Sequence, residues 1–220
     1  IAGNAQHAGM LYKRAERAGK QAHVFVKGDL LIPAMDLNGT VKCVQKINTS
    51  YNSEEKKFES GKFFMKDADT VSRFYTTDGK LPTGKGEIIL AEGYATADSV
   101  SRITGKSVVV AFDAGNLYNV AKAIREKYPD ASITVASDND HIKEREGKGN
   151  AGVYYATKVA QEFKAIVVTP PFKENDRGSD WNDVLLNSSL VETKELYQGL
   201  RKEAVQNFEK TYGAVFSSSN

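Results

Sequence analysis

Three carboxylates stand at the ends of two apolar runs. Glu92 closes Glu87-Ile-Ile-Leu-Ala-Glu-Gly93, and Asp138 and Asp140 close Ile133-Thr-Val-Ala-Ser-Asp-Asn-Asp140. Each run begins like a buried strand and finishes in acid. Acids held close together repel one another unless a cation neutralises them, and a hard divalent metal is the usual neutraliser. Glu92 followed by Gly93 suits either a metal ligand or a general base, with the glycine letting a phosphate approach the backbone. The alternative is a plain acid at a helix N-terminus, favoured by the helix dipole. In an extended segment Asp138 and Asp140 would project to one side and could bracket Mg²⁺. Further along, Gly178-Ser-Asp-Trp-Asn-Asp183 offers Asp180 as an additional acid, or Ser179 or Asp180 as an ordinary helix cap. Asp183 would lie one turn inside that helix. Asp113 is either a lining residue or, more simply, an N-cap.

The elements that position these acids alternate. Ile88–Ala91 predicts a strand, Tyr94–Thr104 a helix, Ser107–Phe112 a strand, and Leu117–Lys127 a helix that Pro129 stops. Ser132–Ser137, the helix Ala151–Phe163 and the strand Ala165–Thr169 follow, and Glu192–Lys210 closes the chain as an amphipathic helix. A βαβαβαβ order implies a parallel sheet with helices on its faces, whose strand ends meet on one edge as a ligand crevice. Before Thr76–Gly86, a Gly- and Pro-bearing boundary, the pattern differs. Residues 4–20 read as a helix, Leu30–Met35 and Thr40–Ile47 as a hairpin about Asp36-Leu-Asn-Gly39, residues 48–61 as a polar loop, and Lys62–Met65 and Ser72–Tyr75 as short strands.

Composition narrows the classes. The single cysteine, Cys43, excludes an internal disulfide framework and a cysteine zinc site, and suits a reducing compartment. No apolar run is long enough to span a membrane, and the first residues lack a signal-peptide layout. Starting at Ile1 and ending in Ser-Ser-Ser-Asn, the chain reads as a piece of something longer. Residues 1–86 carry 14 Lys+Arg against 9 Asp+Glu, whereas residues 87–191 carry 12 against 15. A basic part beside an acidic one suits a polyanion on the first and a metal on the second.

The set Glu92-Gly93, Asp138-x-Asp140 and Asp180 after successive strands resembles the Toprim domain of primases, topoisomerases and some nucleases. The wording "LAEGYATADSVSRITGKSVVVAFDAGNL", "ASDND" and "GSDWNDVL" resembles the Toprim domains of primases from conjugative plasmids and phage satellites. "GDLLIPAMDLNGTVKCVQKI" and "GKFFMK" resemble the smaller subdomain that precedes Toprim in those enzymes. The resemblance implies a Rossmann-like α/β fold, a four-stranded mainly parallel sheet with flanking helices, preceded by a smaller α+β subdomain. It implies a basic template- and nucleotide-binding subdomain over 1–86, a Toprim catalytic domain over 87–191, and a C-terminal helix and tail over 192–220.

The activity it implies is DNA-templated synthesis of short RNA primers from ribonucleoside triphosphates on single-stranded DNA, in a bacterial cytoplasm. Glu92, Asp138 and Asp140 would be catalytic. The same three with Asp180 would hold Mg²⁺ or Mn²⁺. Lys46, Lys62, Lys66, Arg73 and Gly93 would face template or nucleotide, although each lysine also has a plain reading as outer-face charge. The alternatives are a Toprim nuclease, or a single-stranded-DNA-binding fragment inactive without missing modules. No P-loop, Cys/His zinc spacing or strand-cleaving tyrosine module accompanies the set, so the expected partners include other domains of a larger replication or transfer protein.

Overall fold

The computed structural model describes residues 24–26, 29–52, 57–64 and 66–213. The helix expected over residues 4–20 lies outside them. The chain divides into two compact units after Tyr75, eleven residues before the boundary expected from Gly86, because the Thr76–Gly86 stretch belongs to the second unit.

The first unit carries an antiparallel sheet in the order β1-β2-β3-β4: Val24–Val26, Asp29–Met35, Val41–Asn52 and Lys57–Phe64. The β2–β3 turn is local chemistry. The Asp36 carboxylate accepts from the amides of Asn38 (2.9 Å) and Thr40 (3.0 Å), and Gly39 takes φ 80°. The expected loop over 48–61 is corrected: β3 continues to Asn52 and β4 begins at Lys57, paired Asn48↔Gly61 through Asn52↔Lys57. Cross-strand pairing there outweighs the polar composition, a tertiary effect that residue type alone does not carry. Ser72–Tyr75 contributes only a bridge, Met35↔Phe74, before Tyr75–Thr76 (β5).

The second unit is built on the sheet β5-β7-β6-β8-β9, with β6 Glu87–Ala91, β7 Val108–Val110, β8 Ser132–Ala136 and β9 Ile166–Val168. The last four are parallel neighbours. Their near-continuous apolar runs are what burial on both faces demands: Ile89, Leu90, Val108, Val110, Ile133, Val135 and Ile166 are all buried. The helices are α1 Tyr94–Thr104, α2 Ala114–Lys127, α3 His141–Arg145, α4 Ala151–Phe163, α5 Trp181–Asn187 and α6 Leu190–Tyr212. α1 packs with α5 and α6, and α2 with α4, so the two groups cover opposite faces. The C-terminal helix α6 packs on β9 and α1 and so is part of this unit.

Caps set the helix ends. Asp113 accepts from the Asn116 amide at 2.8 Å and Asp180 from the Asp183 amide at 2.9 Å. Ser189 and Glu192 form a capping box at the start of α6. α1 ends on Gly105 at φ 72°, and α2 ends at Lys127, two residues before Pro129. The α5–α6 pair is anchored by Trp181, fully buried, whose indole donates to the Val168 carbonyl at 3.2 Å and meets the Tyr197 ring edge-on at 4.9 Å.

One ionic cluster ties α6 to the amino edge of the sheet. Arg201 donates twice to Glu87, at 2.9 and 2.6 Å, while Thr134 (2.6 Å) and Lys106 (2.7 Å) complete its shell. Burial pushes the Glu87 carboxyl up, but the hydrogen bonds from Lys106 and Thr134 and the Arg201 charge outweigh it and hold it below its ordinary value. A depressed folded-state pKa stabilises above the unfolded value, about 4.3, and that stability is lost as pH falls through the folded value. Glu87→Ala should therefore unfold about 3 kcal/mol more easily in urea at pH 7, since the change strands Arg201. The deficit should shrink as pH drops below about 4, measured by urea titrations of both proteins across pH 3–7.

Candidate functional site

The chain order of the second sheet places its switch point between β6 and β8. From β6 the chain runs through α1 to β7 on one side, then through α2 to β8 on the other. Helices diverge there and leave a crevice at the carboxyl ends of the strands. Glu92 directly follows β6, Asp138 and Asp140 follow β8, and Asp180 caps α5 after β9.

Thr96, in the first turn of α1, joins two of these segments. Its hydroxyl lies 3.3 Å from Asp138 Oδ1 and 3.1 Å from Asp180 Oδ2. Burial pushes the Asp180 carboxyl above its usual range; the Asp183 charge adds to this, against the amide hydrogen bonds of Asp183 and Asn182 and that of Thr96. Asp180 is thus both helix cap and member of the acid group. Asp183 turns back, accepting from the Ser179 amide at 2.7 Å, and braces the cap.

The Asp138–Asp140 segment is laced on both sides. Asn139 donates from its backbone to Ser179 O (2.6 Å) and from its side chain to Pro170 O (3.0 Å). The Asn150 carboxamide accepts from the amides of Asp140 (3.0 Å) and Val153 (3.2 Å) and donates to Asn139 Oδ1 (3.0 Å). His141 reaches the Gly178 carbonyl at 3.0 Å and stacks on Phe172. At Gly152 the backbones nearly touch: a Cβ there would stand 2.6 Å from the Asp138 carbonyl oxygen.

The expectation that Asp138 and Asp140 project together from an extended strand is corrected. β8 ends at Ala136, and Asp140 has φ −72°, ψ 40°, turning the chain into α3. Its carboxylate meets Lys143 Nζ at 2.7 Å, while the Gly152 amide lies 3.4 Å from its other oxygen. That Asp140 hydrogen bond raises the Lys143 pKa despite some desolvation, and the charges of Asp140, Glu92 and Asp138 add to the effect.

Among the described residues, no three His, Cys, Asp or Glu side chains stand close enough to hold one ion between them. The donor set itself, carboxylate oxygens with a threonine hydroxyl, is that of a hard divalent cation. A cation already stands in the group: the Lys143 ammonium. In chemistry the residues present therefore fit a divalent metal.

Gly93 is the buried N-cap of α1, beside Glu92. In the first unit the expected cations do not share one surface. Lys46 lies opposite Phe63, and Lys62 opposite Ile47, so alternation puts the two lysines on opposite faces of the sheet. Lys66 is exposed in the turn after β4, and Arg73 is paired with Asp69. Phe63 is 56% exposed on the Lys46 face. Sequence reasoning missed Thr96, Lys143, Asn150 and Gly152. Asn150-Ala-Gly152 opening a helix was the available signal, since an Asn cap and an early glycine mark a close approach.

Residues 87–189 match the family model described as the Toprim domain. That match spans 103 of the chain's 220 residues. The chain is 33% identical over 143 residues to one DNA primase TraC of Escherichia coli, covering 64% of this chain and 9% of that protein. A second TraC primase of Escherichia coli is 30% identical over 160 residues, covering 70% and 14%. The chain thus spans a small fraction of the curated relatives it matches. Among solved structures, the Aquifex aeolicus primase zinc-binding and RNA polymerase domains superpose with a TM-score of 0.47 at 14% identity, over 86% of this chain and 53% of that one.

If Gly152 is what lets α4 approach Asp138, Gly152→Ala should destabilise the Toprim unit by about 1–3 kcal/mol through overpacking against backbone. Thermal unfolding of the variant against wild type measures it, and an unchanged Tm would remove that role.

Proposed function

We propose that this chain is the catalytic core of a DNA primase, making short RNA primers on single-stranded DNA by metal-dependent nucleotidyl transfer. The observation that carries the reading is the reach of the similarity. The Toprim match ends at residues 87 and 189, yet the two primase alignments extend over 143 and 160 residues, more than that span holds. Similarity beyond the Toprim domain favours a primase over a Toprim nuclease, which would share the acids alone.

In this reading Glu92, Asp138 and Asp140, with Asp180, would supply carboxylate oxygens to Mg²⁺ or Mn²⁺. The bound cation would neutralise triphosphate charge and ease ionisation of the attacking 3′-hydroxyl. The remaining work belongs to the chain. In this reading Glu92, which directly follows β6 beside the α1 N-terminus, would take the 3′-hydroxyl proton. Thr96 keeps Asp138 and Asp180 oriented by one shared hydroxyl. Gly93, as N-cap, lets phosphate oxygens approach the start of α1. In the first unit, exposed Phe63 beside Lys46 has the pairing of aromatic face and positive charge that suits single-stranded template. Lys62, Lys66 and Arg73 contribute further positive charge to that unit, Arg73 with its charge shared with Asp69. The partners are template, nucleotides and further domains of a larger replication or transfer protein.

Glu92→Gln and Asp138→Asn should each lower primer synthesis from NTPs on single-stranded DNA by at least about 100-fold while leaving the circular dichroism spectrum unchanged. Wild-type activity in both would remove these acids from the reaction. Metal-dependent nicking without NTPs would move the reading to a nuclease, and salt-sensitive DNA binding without any product would leave a binding module.

A further inference from the structure

Lys143 is the cation nearest the acid group, and its two ends are held very differently. Asp140 is fixed: its amide is bonded by Asn150, the Gly152 amide faces one oxygen, and its side chain is only 12% exposed. The Lys143 side chain is 62% exposed on a flexible stem. It reaches Asp140 across the first turn of α3, a helix of five residues. The ammonium itself stands mostly in water, so little is lost on its side when the contact breaks. A divalent ion brings twice the charge to the same oxygen.

We propose that Lys143 is an exchangeable counter-ion: it neutralises Asp140 in the resting protein and passes from that carboxylate to the triphosphate when metal and nucleotide bind. The inference rests on the primase reading of the acid site. It follows from where the ammonium can go once displaced. Its backbone stays within one short turn of Asp140, so the charge cannot leave the crevice mouth by more than its own stem. The acids that remain nearby would be engaged by metal, and of the two carboxylates that follow, Glu144 accepts from the Asn150 carboxamide at 3.2 Å and Glu146 is paired with Lys148 at 2.7 Å. The anion that arrives with the metal is the triphosphate, and a lysine binds phosphate oxygens as a mobile point charge. The exchange keeps one positive charge at the crevice mouth in both states. A purely structural i,i+3 pair would affect neither metal nor nucleotide.

The test is calorimetric titration of wild type, Lys143→Met and Lys143→Arg, first with Mn²⁺ alone and then with a non-hydrolysable ATP analogue at saturating Mn²⁺. Lys143→Met should bind Mn²⁺ about three- to fivefold more tightly, because no ammonium competes, and the analogue about fivefold more weakly. Lys143→Arg should stay near wild type in both. Equal Mn²⁺ affinity in Lys143→Met and wild type, or undiminished analogue binding, would overturn the exchange while leaving the acid site standing. Failure of wild type and variant alike to bind Mn²⁺ would instead overturn the metal-site reading, and the exchange with it.

Discussion

Like-charge repulsion at the carboxyl edge of one parallel sheet is the constraint that shapes the second unit. A switch point between β6 and β8 brings Glu92, Asp138 and Asp140 to the same edge, and the turn after β9 adds Asp180. Carboxylates brought to one edge repel one another unless donors or cations oppose them. The surroundings are correspondingly rich in donors: the Thr96 hydroxyl between Asp138 and Asp180, the α5 amide of Asp183 on Asp180, and the Gly152 amide and Lys143 on Asp140. Much of the loop chemistry from Asn139 to Val153 serves to keep those donors in place.

The opposite edge shows what a carboxylate looks like when its role is structural. Glu87 opens β6, five residues before Glu92, and is enclosed by Arg201, Lys106 and Thr134. Its partners come from distant elements and include a guanidinium that donates twice to one carboxylate oxygen. It also places a negative charge near the buried Tyr197 hydroxyl, which burial above all, and Glu87 in addition, push well above its ordinary range, with Arg201 opposing. Two glutamates, one opening β6 and one just after its end, thus divide the work. One locks α6 to the sheet, and the other stands where the strand opens to solvent.

The fold of the second unit was legible because its signals are local. Apolar runs at 88–91, 108–110 and 133–136, with Pro129 and Gly105 as stops, are enough to write βαβαβ. The acids were legible for the same reason: each directly follows a run. What residue type could not carry was pairing across distance. Residues 48–61 look like a loop because their polar side chains say nothing about β3 and β4 extending each other through backbone hydrogen bonds. Lys46 and Lys62 look like one basic patch until register assigns them to opposite faces. Asp140 looks like the second tooth of an extended pair, yet the short helix α3 begins there, within a segment from His141 to Asn150 whose charged composition carries no periodicity.

That segment joins the two kinds of order in the site. Its end is rigid, since Asn150 and Gly152 clamp the backbone of Asp138 and Asp140 with no space for even one methyl group. Its beginning is soft, since Lys143 and Arg145 are exposed on a helix too short to hold side chains firmly. Backbone precision with loose charge is the combination that the proposed polyphosphate site would require. Ligand oxygens must sit at fixed distances, whereas the neutralising charge must differ between the resting and occupied states. A fully bonded shell like that of Glu87 would satisfy the acids permanently and leave nothing to release. The second unit therefore fixes the positions of its acids through neutral donors and backbone contacts, whereas the Lys143 ammonium stands mostly in solvent.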